Sequence, residues 1–398
     1  MKSTILMLIS LLCGPAFSQS WQQAADFPST ERDDGASFVI GNTAYCGTGL
    51  MPWFVAGKDF YSLDMSAGSW EAIAELPAGN ERQYASGFSD GSRGFITGGV
   101  NGSYFNDLWI YDPVSDSWNP GAPLPSAGRM GAANFVIGNT AYIVGGRTSA
   151  NQSISEVWAY NMLNNTWVQK NNLPFGARWR ASGASMNNKG YLLFGKDENN
   201  SFRKELMEYD PGIDSWSIIN IFPGNGRTYS SMNASSGKLL VTAGLDTLGN
   251  SYNDFWSFHP DSTGWQQLQP IPAPGRRGGM SFTNNTSFYY TTGTDQSNTR
   301  IRETWKVENT AGIQENNSAG SISCFPNPAD ESCTLMFPGP PGNIIFIEIL
   351  DLSGRLVESF STQQHSIMIR PGWMAAGTYL VKALKDRKNY YTKLVVAH

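Results

Sequence analysis

The chain has 398 residues, 13% aromatic and 15% charged, with 42 glycines, 13 tryptophans and three histidines. So few histidines argue against a His-based zinc site and against a Ser-His-Asp or Cys-His nucleophile. Residues 19–320 hold 27 acidic against 20 basic side chains, a balance that argues against nucleic acid as a partner.

Residues 1–18 read as a secretory signal peptide. Lys2 supplies the positive end, Ile5 to Leu12 a short apolar run, and Ala16-Phe17-Ser18 a small-x-small cleavage site. The run is too short to span a membrane, and no later segment is expected to span one. Lipid attachment at Cys13 is disfavoured, because Leu12 stands where a small residue is needed.

Residues 19–308 carry a repeat. Trp21, Trp70, Trp118, Trp167, Trp216 and Trp265 are separated by 49, 48, 49, 49 and 49 residues. A single irregular core has no reason to keep such a step. A ring of like modules does, since each must present the same face to the next. Within a unit, Trp leads through a Pro-containing stretch to an Arg, a small-residue run, an apolar strand, a glycine stop and an aromatic strand. The apolar runs are rich in Val, Ile, Tyr, Phe and Thr and bounded by Gly, Asn, Asp or Pro, which predicts strands and turns. In Tyr111-Asp112-Pro113 and Tyr209-Asp210-Pro211, Asp caps a hairpin turn and Pro presets its backbone. Four strands in about 49 residues is the size of a propeller blade. Glu303 to Val307 is a third strand with no Trp after it, so the Trp21 strand is expected to be the fourth strand of a sixth blade.

The glycine pairs Gly98-Gly99 and Gly145-Gly146, the Tyr-Asp-Pro turns and the terminal Trp resemble the kelch-repeat family. The pair decays to Gly195-Lys196, Ala243-Gly244 and Thr292-Gly293 in the last three units. The fold expected is all-β: a six-bladed kelch β-propeller closed by its N-terminal strand, followed by a small β-sandwich.

Residues 309–320 are polar and read as a linker. Residues 321–398 change grammar, to alternating strands joined by Gly turns. Pro326-Asn327-Pro328, Asp351-Leu352-Ser353-Gly354-Arg355, Gly377-Thr378-Tyr379 and Lys393-Leu394-Val395-Val396 resemble the C-terminal sorting domain of the type IX secretion system of Bacteroidetes. The resemblance implies passage across the outer membrane, a secreted or cell-surface location and the secretion machinery as a partner. An immunoglobulin-like accessory domain is the other reading. Cys324 and Cys333 flank the Pro-Asn-Pro turn, where an exported protein allows a disulfide, although spacing alone does not establish its geometry. Cys46 reads as a small buried hydrophobe.

Every unit has an Arg at one phase: Arg32, Arg82, Arg129, Arg178, Arg227 and Arg276. By resemblance to kelch propellers they lie near one channel mouth. There they either bind carboxylates, sulfates or acidic sugars, or tie blades together through backbone carbonyls. Residues that break the repeat carry more information about a ligand. Beside the Arg stand Glu31, Asp33 and Asp34; Glu81 and Tyr84; Trp179 and Arg180; Tyr229; and Arg277. Trp53 and Phe54, in an unusual loop, either stack on a sugar or pack beneath that loop.

The reading is an exported binding module, for a glycan or a surface protein, with no cofactor and no metal. The alternative is a sugar mutarotase, which the resemblance to six-bladed kelch sialic-acid mutarotases implies, with Glu31, Glu81 and Arg178 as acid, base and clamp. A copper-radical oxidase of the galactose oxidase type is disfavoured. It needs two His ligands, and the propeller has only His259, in a turn.

Overall fold

The computed structural model describes residues 20–308 except 149–151, 261–263 and 285, and residues 322–397 except 326, 338–343, 352–354 and 386–387. The expected signal peptide and linker lie outside the described residues. The chain forms two compact units, Met1–Thr310 and Ala311–His398.

Among the described residues the first unit has six four-stranded antiparallel sheets, five of them meanders whose strands follow one another along the chain. The first runs Ala36–Ile40, Thr43–Gly47, Phe60–Asp64 and Ser69–Ile73 from inner to outer strand. The sixth takes Met280–Thr283, Ser287–Thr291 and Thr304–Glu308 from its own repeat. Its outer strand is Trp21–Ala24, with Trp21 opposite Val307 and Ala24 opposite Thr304. The inner strand of each sheet touches that of the next, and the sixth touches the first.

The glycine stop explains how neighbouring sheets are tied. Its second position is always glycine, at φ between 87° and 104°: Gly49, Gly99, Gly146, Gly195, Gly244 and Gly293. Each N–H donates to the carbonyl of the next sheet's repeat arginine, at 2.7 to 3.0 Å, and Gly293 returns to Arg32. A Cβ at Gly99 would lie 2.8 Å from the Gln83 carbonyl, so a larger residue is excluded there. The first position is also left-handed but accepts Thr48, Phe194, Ala243 and Thr292. Phe194 offsets its backbone strain by packing edge-on against Phe222 at 4.9 Å. In the fourth unit the pair is therefore Phe194-Gly195, one residue earlier than the expected Gly195-Lys196.

Four of the six repeat tryptophans hydrogen-bond across the outer rim. Trp70, Trp118 and Trp167 donate Nε1–H to Ala25, Ala74 and Ala122, each just beyond the outer strand of the preceding sheet, and Trp21 reaches Gln269. Asp112 and Asp210 cap their turns as the Tyr-Asp-Pro pattern predicts, accepting from Val114 and Gly212 N–H. A second turn residue went unremarked in the sequence. Asp116, Asn165 and Asp214 sit at positive φ, accept a Tyr hydroxyl of their own sheet, and accept an N–H of the preceding sheet.

The second unit has a three-stranded sheet, Ser323–Phe325, Cys333–Met336 and Ser366–Ile369. A four-stranded sheet comprises Ile345–Leu350, Leu356–Thr362, Gly377–Lys385 and Lys388–Val396. Both contribute to one core that includes Cys333, Leu335, Ile347, Val381 and Leu394.

Candidate functional site at one channel mouth

The six repeat arginines are nearly fully buried, at 0–2% exposure. Each faces a carboxylate of its own sheet: Arg32–Asp59, Arg82–Asp107, Arg129–Glu156, Arg178–Glu205, Arg227–Asp254 and Arg276–Glu303. Five of the separations are 2.5 to 2.8 Å; Arg178–Glu205 is 3.6 Å. Five also donate to the carbonyl of the first residue of the glycine stop, as Arg82 does to Gly98 at 3.0 Å. Both side-chain contacts stay within the arginine's own sheet; the link to the neighbouring sheet is made by the arginine's main-chain carbonyl, which accepts from the preceding sheet's glycine.

Two residues after each arginine the backbone turns left-handed: Asp34 (φ 57°), Tyr84 (60°), Gly131 (60°), Arg180 (55°), Tyr229 (59°) and Gly278 (67°). Each non-glycine member costs about 1–2 kcal/mol in backbone strain. A belt of backbone hydrogen bonds holds them, Asp34 N–H to Gly278 O, Tyr84 to Asp34, Gly131 to Tyr84, Arg180 to Gly131 and Gly278 to Tyr229, at 2.6 to 3.3 Å. The inner strands begin just past this belt. They line a cavity of about 250 Å³ with small uncharged residues such as Ser37, Asn134, Ser182 and Asn233. At the opposite mouth a wider cavity of about 900 Å³ has Asn42, Met186, Ser235 and Asn284 in its wall.

The side chains of the belt meet across the axis. Arg180 Nη2 donates to Tyr84 Oη at 2.6 Å, and its Cζ lies 3.8 Å from the Tyr229 ring centre and 3.9 Å from that of Trp179. Tyr84 and Tyr229, from opposite sheets, have ring centres 6.2 Å apart. Arg147, from the third sheet's loop, lies 4.6 Å over Trp179. Tyr84 also lies beside the Asp34 carboxyl group. Arg277 donates to Asn298 at 2.8 Å, and Asp33 is held by Arg300 and Thr294 at 2.8 and 2.7 Å. Four buried polar atoms here have no hydrogen-bond partner within the protein: Gln83 Oε1, Arg147 Nε, Trp179 Nε1 and Arg180 Nε.

The electrostatics follow from burial. Asp34 is pushed up to about 7, by desolvation first and by neighbouring Asp33 second, against the pull of Arg180, Tyr84 and Arg277. Burial also lowers Arg180, and lowers Lys196, to which Arg180 and Arg147 add like-charge repulsion. A concentration of cations with one near-neutral carboxyl group suits an anion carrying hydroxyl groups.

The structure thus brings together Tyr84, Trp179, Arg180 and Tyr229, with Arg277 close enough to act on Asp34. It does not bring together Glu31, Glu81 and Arg178. Glu81 accepts from Gly79 N–H at 3.3 Å, Arg178 is buried against Glu205, and among the described residues no hydrogen bond or ion pair joins the three. Trp53 and Phe54 do not pack beneath their loop. They cap the hairpin of Leu50–Met51 and Val55–Ala56, 93% and 85% exposed. Sequence reasoning missed Gln83, Arg147 and Lys196. The last two lie in loops between the second and third strands, where the repeat pattern fades. Among the described residues no group of three His, Cys, Asp or Glu side chains is placed to hold a metal ion.

Residues 119–293 match the KLHDC2/KLHL20/DRC7 Kelch-repeats domain, residues 95–125 the Kelch motif, and residues 323–397 the Secretion system C-terminal sorting domain. N-acetylneuraminate epimerase of Shigella sonnei (strain Ss046) is 30% identical over 162 residues, 39% of this chain and 41% of that protein. The Escherichia coli (strain K12) protein of the same name is 32% identical over 128 residues, 30% of this chain and 32% of that protein. The chain thus spans about two fifths or less of the length of these curated relatives. The solved structure of YjhT superposes with a TM-score of 0.62 at 18% identity, covering 71% of this chain and 95% of that one, a likeness of fold. The chain is an all-β kelch-type propeller followed by a sorting domain that directs type IX secretion to the cell surface or extracellular space. Among the described residues no helix is long and apolar enough to cross a membrane.

Proposed function

We propose that the exported propeller binds an acidic sugar at the mouth formed by Arg147, Trp179, Arg180, Tyr84 and Asp34. The observation that carries this reading is the set of unpartnered buried donors on Arg147, Trp179 and Arg180, gathered beside aromatic rings. A carboxylate takes guanidinium donors in paired, charge-assisted bonds. The ring faces of Tyr84, Trp179 and Tyr229 offer stacking surface to a pyranose. The names of the partial relatives point to the same class of ligand, a sugar that carries a carboxylate. Titration of the mature chain with N-acetylneuraminate and with a neutral N-acetylated hexosamine, followed by calorimetry, tests the reading. Binding of the acidic sugar alone is expected, weakened at least tenfold by Arg147→Ala or Arg180→Ala. Equal binding of both sugars, or none, refutes it.

A second reading, sugar mutarotation at the same mouth, is favoured by Asp34, whose pKa of about 7 suits proton transfer at neutral pH. Ring opening of a bound hemiketal moves the anomeric hydroxyl proton to a base as a proton is delivered to the ring oxygen. Asp34 is the base, in relay with Tyr84, and the arginines hold the carboxylate. Exchange NMR of the two anomers should show acceleration that Asp34→Asn abolishes while calorimetric binding persists. Unaltered exchange in that variant removes Asp34 from the reaction.

A further inference from the structure

The sorting domain holds two cysteines on one sheet face. Ser323–Phe325 and Cys333–Met336 are antiparallel neighbours, with Cys324 opposite Leu335 and Phe325 opposite Thr334. Side chains two positions apart on a strand share a face, so Cys333 lies on the same side as Leu335 and diagonal to Cys324. That side is the core side. Cys333 and Leu335 are 1% and 0% exposed, and Cys324 packs on the same cluster while remaining partly open to solvent. The two thiols, free in this structure, influence each other electrostatically.

We propose that Cys324 and Cys333 join as a disulfide in the exported protein, closing the Pro326-Asn327-Pro328 turn into a covalent loop. The two residues are diagonal neighbours on the core face of one antiparallel pair, so bonding them needs no change of strand register. Export carries them from a reducing cytoplasm to compartments where disulfides persist. The remaining cysteine of the propeller, Cys46, is fully buried in the first sheet, where desolvation raises its thiol, so it does not compete. The oxidant is a protein disulfide of the thiol-oxidase class. Its disulfide exchanges with Cys324, the sulfur reachable from solvent, giving a mixed disulfide and one carrier thiol. Cys333 then loses its proton to solvent and attacks Cys324 Sγ. The bond to the carrier breaks and the carrier leaves as a dithiol. Two thiols are oxidised, one carrier disulfide is reduced, and the two protons end on the carrier's thiols.

The test uses the full chain with its tail retained, exported to the periplasm of a host that lacks the secretion machinery. Denatured, unreduced protein is alkylated with a light reagent, then reduced, alkylated with a heavy one and mapped by mass spectrometry. Cys46 should carry the light label and Cys324 and Cys333 the heavy label, with a linked 324–333 peptide before reduction. Light label on both tail cysteines overturns the proposal, as does linkage of either to Cys46 or to a second chain. Proteolysis of the tail gives a second readout. Reductant should accelerate it about a hundredfold in the wild type, from the loop-closure entropy of a nine-residue span, and leave a C324S/C333S double variant unchanged. Equal acceleration of both proteins, or of neither, also counts against the disulfide.

Discussion

Asp34 shows how one residue serves position and chemistry together. Its left-handed backbone is one link of the belt, and its carboxyl group is stranded away from water beside Asp33. Because its folded pKa is raised above the ordinary 3.8, the native state binds the extra proton between about pH 4 and pH 7. Stability from this group is therefore highest in acid and falls as the pH rises through 7. Asn tolerates the same backbone and carries no charge. Asp34→Asn should be more stable than the wild type at pH 8, by up to about 4 kcal/mol, and should lose that advantage at pH 4. Urea denaturation at the two pH values checks it. Asp34, Tyr84, Arg180 and Tyr229 were legible in the sequence because they break an otherwise regular position. Their convergence was not, since nothing in a linear repeat says which of six equivalent side chains is long enough to cross the axis.

Within each sheet, the pairing of a buried arginine with a partly exposed acid is the common element. Arg82 is fully buried, and Asp107 supplies both oxygens to it at 2.6 and 2.8 Å while also accepting from Trp109. Removing the acid leaves a guanidinium inside the protein without its counter-charge. Asp107→Ala should cost about 3 kcal/mol or more, and Asp107→Glu should recover part of it; thermal unfolding of both variants measures the difference. The arginine phase was visible in the sequence; that its side chain bonds within its own sheet was not. The acid partner was hidden because the residue alternates between Asp and Glu among otherwise variable loop residues. The glycine stop shows the opposite case. Its second position stood out because backbone lies where a side chain would go, whereas its first is blurred by Thr48, Phe194, Ala243 and Thr292.

At the scale of the propeller, the first ordered strand completes the last sheet. Trp21 lies edge-on to Phe255 and Phe288, at 5.1 and 6.0 Å, and is 8% exposed. Trp21→Ala should cost about 3–5 kcal/mol, and a chain starting after Ala24 should expose the open edge of Thr304–Glu308 and aggregate on heating. Light scattering with calorimetry distinguishes that outcome from simple loss of stability. This join was readable from the phase of the tryptophans alone, because a repeat that starts with one orphan strand and stops one strand short has a single economical solution.

The six glycine-to-arginine links run from main chain to main chain, so they make no demand on the loops that leave the rim beside them. A lineage carrying this scaffold can therefore exchange arginine for tyrosine, or tryptophan for threonine, at the entrance without renegotiating how the wheel is held shut. Novel specificities become a matter of upholstery, and selection can act on the ligand while the hoop beneath stays as it is.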